Sequence, residues 1–168
     1  TDGVYEFIFN GKAQLPLASA DGVSFAYTVK NADGAVVSSA INAGEYTVTV
    51  VATNSNYTVT EESQTVRFVI KPRTVTVQWG NANLSYTGEA QAPEAWFVDV
   101  NGQKVKLSVS GAETEAGESY SATASFATAT DNYELDGATC QFVIAGKEGD
   151  EWYWDWESGE WKVVSDEP

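Results

Sequence analysis

Apolar and polar residues alternate along several short stretches of the chain, with the period of two that predicts β-strands packed on one face and wet on the other. The stretches with this pattern are residues 46–52, 66–70, 74–79 and 140–144. Turn residues lie between them, and Asn101-Gly102 predicts a hairpin within residues 99–107. No stretch keeps apolar residues at helical spacing for more than about two turns, so we expect almost no helix. The pattern therefore predicts an all-β fold, with antiparallel sheets packed as sandwiches.

The chain contains two copies of one repeat, which share four short strings in the same order. The matching strings, first copy and then second, are FNGKAQLPLA and YTGEAQAPEA, NAGEYTVTV and EAGESYSATA, SNY and DNY, VRFVI and CQFVI. We therefore predict three regions: module 1 at residues 1–72, module 2 at residues 73–146, and an acidic, tryptophan-rich tail at residues 147–168. The second copy opens with RTVTVQW, which has no counterpart in the first. We expect module 1 to lack its first strand, and residues to precede Thr1 in the parent protein.

In both copies a tyrosine follows a glycine turn and opens an alternating strand, as Tyr46 and Tyr120. This resembles the tyrosine corner of immunoglobulin-like sandwiches. The longer pattern from TVTVQW to CQFVI resembles the MBG type of bacterial immunoglobulin-like repeat, which occurs in tandem in large surface and secreted proteins. The resemblance implies two tandem immunoglobulin-like β-sandwich modules in an extracellular protein, on the bacterial cell surface or secreted. The role it implies is that of non-catalytic structural or spacer modules, adhesion- or stalk-like, joined to neighbouring domains of a longer chain.

The inward positions of the alternating strands define the expected core. These positions are Tyr46, Phe68, Ile70, Val77, Tyr120, Phe142 and Ile144. Both copies contribute equivalent residues, so we expect two cores of the same design.

The composition removes most enzyme classes. The chain has no histidine and only one cysteine, Cys140, which excludes the usual catalytic triads, a zinc site and an internal disulfide. The net charge of −15 at pH 7 would repel nucleic acid, and no apolar run is long enough to insert into a membrane. We therefore expect no enzyme activity and no cofactor.

Calcium is the one metal that the sequence leaves open, because hard cations prefer oxygen ligands. The loop at 129–137 offers four such side chains: Asp131, Asn132, Glu134 and Asp136. It lacks the spacing of an EF-hand loop, and its counterpart in the first copy has few acids. A solvated hairpin is the other interpretation of this loop.

The tail holds four of the six tryptophans and carries eight acidic and two basic residues within positions 147–168. A hairpin with Ser158-Gly159 as a two-residue loop would place Trp156 opposite Trp161 and Asp155 opposite Lys162. The tail also resembles an aromatic hairpin of the choline-binding repeat type. Two interpretations remain: a cap docked on module 2, or a platform that binds a glycan, a cell-wall polymer or a host surface protein. The candidate ligand-binding residues are Trp152, Tyr153, Trp154, Trp156 and Trp161.

Overall fold

The structure, a computed structural model, describes residues 3–146 and 152–163, with the backbone alone at Val163. In these residues nearly all regular structure is strand. The strands are β1 Tyr5–Ile8, β2 Phe25–Asn31, β3 Val36–Val37, β4 Gly44–Ala52, β5 Thr65–Lys71, β6 Arg73–Thr76, β7 Gln78–Trp79, β8 Asn83–Ser85, β9 Ala95–Val98, β10 Lys104–Lys106, β11 Ser108–Ser110, β12 Gly117–Ser125, β13 Tyr133–Asp136, β14 Thr139–Ala145, β15 Trp152–Asp155 and β16 Glu160–Val163. The single helix within these described residues, α1, spans Glu61–Gln64. The predicted all-β class, with tandem immunoglobulin-like modules and a C-terminal hairpin, is confirmed.

The chain divides into two compact units. Unit 1 contains residues 1–74 and 130–134, and unit 2 contains residues 75–129 and 135–168. Most of each sequence copy lies in its own unit. Apart from residues 73–74 at the predicted boundary, the exception is the five-residue segment 130–134, which belongs to the second copy by sequence and to unit 1 by its contacts.

Each unit is built on a long antiparallel strand pair that carries the core. In unit 1, β4 pairs with β5 and Tyr46 lies opposite Phe68, with ring centroids 5.3 Å apart. In unit 2, β12 pairs with β14 and Tyr120 lies opposite Phe142, with centroids 5.5 Å apart. A short parallel strand extends each pair on the far side, β1 beside β5 and β8 beside β14. The sequence repeat is therefore a structural repeat at this level.

Five of the seven expected core residues are buried, with exposures between 0% and 6%: Phe68, Ile70, Val77, Phe142 and Ile144. The expectation was wrong for Tyr46 and Tyr120, which are half-buried. The Tyr46 hydroxyl donates to the Asn42 backbone carbonyl at 2.9 Å, the bond that defines a tyrosine corner. A tyrosine that packs its ring on the core must keep its hydroxyl near the surface to make that bond, so it cannot be fully buried.

A bulge explains the unequal spacing between glycine and tyrosine in the two copies. The register between β12 and β14 shifts between Gly117 and Tyr120, whereas β4 and β5 pair without interruption from Gly44 to Thr49. Glu118 and Ser119 together stand between the glycine and the tyrosine, where the first copy has Glu45 alone. A β-bulge takes up one residue without changing the face of the strands beyond it, so Tyr120 still faces the core.

The two units differ in how the remaining strands pair. Unit 1 contains a five-stranded sheet in the order β1-β5-β4-β2-β3, and β2 pairs with β4 along its whole length. In unit 2 the order β11-β12-β14-β8 forms one sheet and β10-β9-β7 a second. β6 pairs with β13. β9 corresponds to β2 and β12 corresponds to β4. In unit 1, β2 pairs with β4, whereas in the described part of unit 2, β9 pairs with β7 and not with β12.

Hairpin turns of one kind join β2 to β3 and β9 to β10. Asp99 accepts the backbone N–H groups of Asn101 and Gln103 at 2.9 and 2.8 Å, and Gly102 adopts a φ of 78°. Asn31 and Gly34 occupy the equivalent places in the first copy. The predicted hairpin turn at Asn101-Gly102 is present, but the predicted range of 99–107 was too late for the first strand, which is β9 at Ala95–Val98.

Candidate binding cleft at the tryptophan hairpin

The tail forms a β-hairpin, as predicted, but its register differs from the expected one. Trp154 pairs with Trp161, and Asp155 pairs with Glu160. The turn therefore has four residues, 156–159, in place of the expected two. Trp156, which was expected to face Trp161, lies in the turn and is 87% exposed.

The side chain of Asp155 explains the longer turn. It accepts the Glu157 N–H and the Ser158 hydroxyl, both at 2.9 Å, while its backbone carbonyl accepts the Gly159 N–H at 2.8 Å. Gly159 adopts a left-handed φ of 69°. An aspartate that starts a turn and a glycine that ends it also form the loop after β9, so this signal was present in the sequence.

The predicted ion pair between Asp155 and Lys162 is present, although the two residues are diagonal neighbours and not directly opposite. Lys162, then the Glu157 N–H and the Ser158 hydroxyl, hold the pKa of Asp155 well below its usual range. The same carboxylate raises the pKa of Lys162. The charge of Lys162 is thus engaged by its own hairpin.

The tryptophans of the hairpin contact one another and the end of β14. Trp154 packs edge-on against Trp161 at 5.7 Å and against Trp156 at 6.0 Å between ring centroids. The ring of Trp152 lies directly on Gly146, where it leaves no room for a side chain. Gly146 is therefore the point at which the hairpin rests on unit 2.

An open cleft of about 1320 Å³ lies between the hairpin and the body of unit 2. On the hairpin side it is lined by Trp152, Trp154 and Trp161, and on the opposite side by Tyr86 and Tyr120. Both tyrosines pack on the buried cluster of Ala122, Phe142 and Ile144. The aromatic wall is thus anchored in the core of unit 2.

The rim of the cleft is acidic. Glu115, Glu118 and Glu160 line it, and Lys162 is the one basic residue among the lining residues. Burial first, and then the negative charges of Glu113, Glu115 and Glu160, raise the pKa of Tyr120. The cleft therefore has aromatic walls in a negative potential.

Three of the five candidate residues, Trp152, Trp154 and Trp161, are brought together in the cleft. Tyr153 and Trp156 are not among its lining residues; they are 48% and 87% exposed. Sequence reasoning missed Tyr86 and Tyr120 as partners of the tryptophans. Both tyrosines are distant in sequence from the tail, and no local pattern joins them to it.

The loop considered for calcium is organised around hydrogen bonds. The side-chain carbonyl of Asn132 accepts the Ala43 N–H at 2.7 Å, while Asp131, Glu134 and Asp136 are exposed. Across residues 3–146 and 152–163, no three acidic, cysteine or histidine side chains are grouped as they would be around a metal ion. Calcium binding stays a prediction that this geometry does not test.

The fold is that of two tandem all-β repeats followed by an aromatic hairpin. The sequence matches the MucBP domain over residues 11–71 and again over residues 95–151, which together make up more than half of the chain. The chain therefore belongs to the MucBP domain family, an adhesion-type surface repeat and not an enzyme family. A comparison with the curated proteins found no match. Within the described residues no helix is long and apolar enough to cross a membrane.

Proposed function

We propose that this chain is a non-catalytic adhesion segment of a bacterial surface protein, and that the cleft of unit 2 binds a neutral glycan. The observation that carries the proposal is the cleft itself, where three hairpin tryptophans face Tyr86 and Tyr120. Ligand sites are typically clefts with aromatic walls and a few polar groups. MucBP repeats are of the mucin-binding type, which favours mucin-type glycans over cell-wall polymers as the ligand.

The chemistry of the cleft suits a sugar. Trp161 is 49% exposed, so its ring offers an apolar face for the C–H groups of a pyranose. Glu115 and Glu118 can accept hydrogen bonds from sugar hydroxyls. Because the lining carries three glutamates and one lysine that is paired with Asp155, sialylated or sulfated glycans should be repelled.

The test is a titration of the chain with neutral mucin-type oligosaccharides, followed by tryptophan fluorescence with acrylamide as a neutral quencher. Binding should protect the cleft tryptophans, and Trp161→Ala should weaken it by about tenfold or more, the value expected when an aromatic contact in a site is removed. Trp156→Ala is the matched control, because Trp156 belongs to the same hairpin and does not line the cleft. Equal losses in the two variants, or a preference for sialylated over neutral glycans, would contradict the proposal.

A spacer or stalk function is the second candidate. It is favoured by segment 130–134, since a piece of the second copy completes unit 1, as expected when repeats support one another in an array. Under this proposal the chain needs no cofactor and its partners are neighbouring domains of a longer chain. A chain that binds neither neutral mucin-type glycans nor cell-wall oligosaccharides would leave the spacer function as the better account. The MBG-type assignment and the choline-binding likeness of the tail stay predictions.

A further inference from the structure

Segment 130–134 is held in unit 1 by one asparagine that uses all its polar groups. The Asn132 side chain accepts the Ala43 N–H at 2.7 Å and donates to the Asn42 side-chain carbonyl at 3.1 Å. Its backbone carbonyl accepts the Arg73 N–H at 2.9 Å, and its N–H donates to the Thr130 hydroxyl at 3.2 Å. A side chain satisfied in this way specifies one position for the segment.

The neighbouring residue adds an aromatic contact. Tyr133 packs edge-on against Phe9, with ring centroids 5.2 Å apart and an interplanar angle of 83°. Phe9 is only 6% exposed. Together, Phe9, Asn42 and Ala43 form an acceptor surface for an Asn-Tyr pair.

The first copy carries the same Asn-Tyr pair, and its two side chains have no partner among residues 3–146 and 152–163. SNY at 55–57 aligns with DNY at 131–133, so Asn56 corresponds to Asn132 and Tyr57 to Tyr133. Both residues are exposed, Tyr57 by 51%. Neither side chain forms a hydrogen bond or ring contact in the described part of the chain. An exposed copy of a pair that is engaged elsewhere in the same protein indicates an unused docking surface.

We propose that the loop at residues 54–58 is a docking surface for another copy of this repeat, which it contacts as segment 130–134 contacts the acceptor surface of unit 1. The occupant must offer an aromatic residue at the position of Phe9 and a side-chain oxygen at the position of Asn42. This proposal does not depend on glycan binding.

Unit 2 contains the equivalent acceptor surface. The repeat aligns Phe9 with Tyr86, Asn42 with Glu115 and Ala43 with Ala116, and all three unit 2 residues line the cleft beside the hairpin. The chemistry is compatible: the Glu115 carboxylate can accept the Asn56 amide N–H, and the Ala116 N–H can donate to the Asn56 carbonyl. The hairpin stands on the far side of this cleft and rests on Gly146 through Trp152. In the intact chain it therefore obstructs the approach of another folded unit, while the cleft stays open to small ligands.

The proposal is tested by releasing the hairpin in the full-length chain. Gly146→Ala places a methyl group where the Trp152 ring lies, while the φ of Gly146 is not in the left-handed region and the backbone accepts alanine. Trp152→Ala removes the same contact without adding a side chain. Increased acrylamide quenching of the tryptophans reports the release in either variant. Sedimentation velocity over a wide concentration range then measures self-association.

The expected result is that the wild-type chain stays monomeric and that both released variants self-associate. Adding Tyr57→Ala should weaken that association by about tenfold, the loss expected for one aromatic pair with its flanking hydrogen bonds. Tyr57→Phe should retain it, because the edge-on ring contact survives. In an isotope-labelled wild-type chain mixed with unlabelled Gly146→Ala chain, amide shifts should be confined to residues near 54–58. Released variants that stay monomeric, or association insensitive to Tyr57→Ala, would overturn the proposal.

Discussion

The two copies of the repeat share a strand pair and a core but differ at the end near the tyrosine corner. In unit 1 this end is closed by segment 130–134, with Asn132 in a complete set of hydrogen bonds. In unit 2 the corresponding end meets the tryptophan hairpin, and an open cleft with an acidic rim remains. The repeat itself therefore determines a core and an end surface. Whether a cleft remains at that surface depends on the segment that covers it.

The largest expected effect comes from substitutions in the two cores, which test whether the cores contribute equally to stability. Phe68→Ala and Phe142→Ala each remove a phenylalanine that is at most 2% exposed and that lies opposite a tyrosine. Each should lower the free energy of unfolding by about 3–5 kcal/mol, measured by urea denaturation. Val36→Ala, at a side chain that is 67% exposed, should cost under about 0.5 kcal/mol. A small loss in only one of the two phenylalanine variants would show that the cores are not equivalent.

A matched pair of asparagines, Asn132 and Asn56, tests whether segment 130–134 stabilises the closed end of unit 1. Asn132→Ala removes the side-chain bonds to Asn42 and Ala43, and we expect a loss of about 1–3 kcal/mol, because an N–H that was paired is left without its acceptor. Asn56→Ala, at the equivalent and exposed position in the first copy, should change the unfolding free energy by less than about 0.5 kcal/mol. Similar losses in the two variants would contradict the role given to segment 130–134.

Much of the fold could be predicted from the sequence because it rests on local signals. Alternation predicted strands such as β4, β5 and β14, and the repeated strings identified the two copies. The resemblance to a tyrosine corner at Tyr46 agrees with its hydrogen bond to Asn42. Pairing of β2 with β4 and of β9 with β7 could not be predicted in this way. Which edge a strand joins depends on the partners available, and this is a long-range property.

The site was predicted in part, for a similar reason. Three tryptophans of the tail do line the cleft, but the register was wrong because Ser158-Gly159 was treated as a two-residue turn while the side chain of Asp155 sets a longer one. The opposite wall, Tyr86 and Tyr120, is distant in sequence from the tail. No local pattern joins those residues to the hairpin, so only the folded chain shows that they face it.

The tyrosine corner offers a smaller test of the comparison. Tyr46→Phe removes the hydroxyl that donates to the Asn42 carbonyl at 2.9 Å and keeps the stacked ring, so the unfolding free energy should fall by about 0.5–1.5 kcal/mol. Because the side chain of Asn42 also accepts Asn132, a double-mutant cycle of Tyr46→Phe with Asn132→Ala should show coupling. Tyr5→Phe, at a tyrosine that is 52% exposed, is the control and should be neutral. Strict additivity would indicate that the corner and segment 130–134 act independently.

The smallest expected effect is that of low pH, which should loosen the tryptophan hairpin of unit 2 and leave segment 130–134 in unit 1 unchanged. The hydrogen bond from Lys162, and then those from the Glu157 N–H and the Ser158 hydroxyl, lower the pKa of Asp155 in the folded chain relative to about 3.9 in an unfolded one. A lowered carboxyl pKa stabilises the hairpin in full above that value, and the stabilisation is lost as the pH falls towards and through the folded pKa. Segment 130–134 is held through neutral amide, hydroxyl and backbone groups, so it should not respond. Acrylamide quenching of the tryptophans should therefore rise below about pH 4, while the amide signals of Ala43 and Asn132 stay constant. Asp155→Asn keeps an oxygen for the turn but removes the charge that pairs with Lys162. In this variant the rise in quenching at low pH should disappear, and the hairpin should be looser at neutral pH. An unchanged rise in quenching would mean that another carboxyl controls the hairpin.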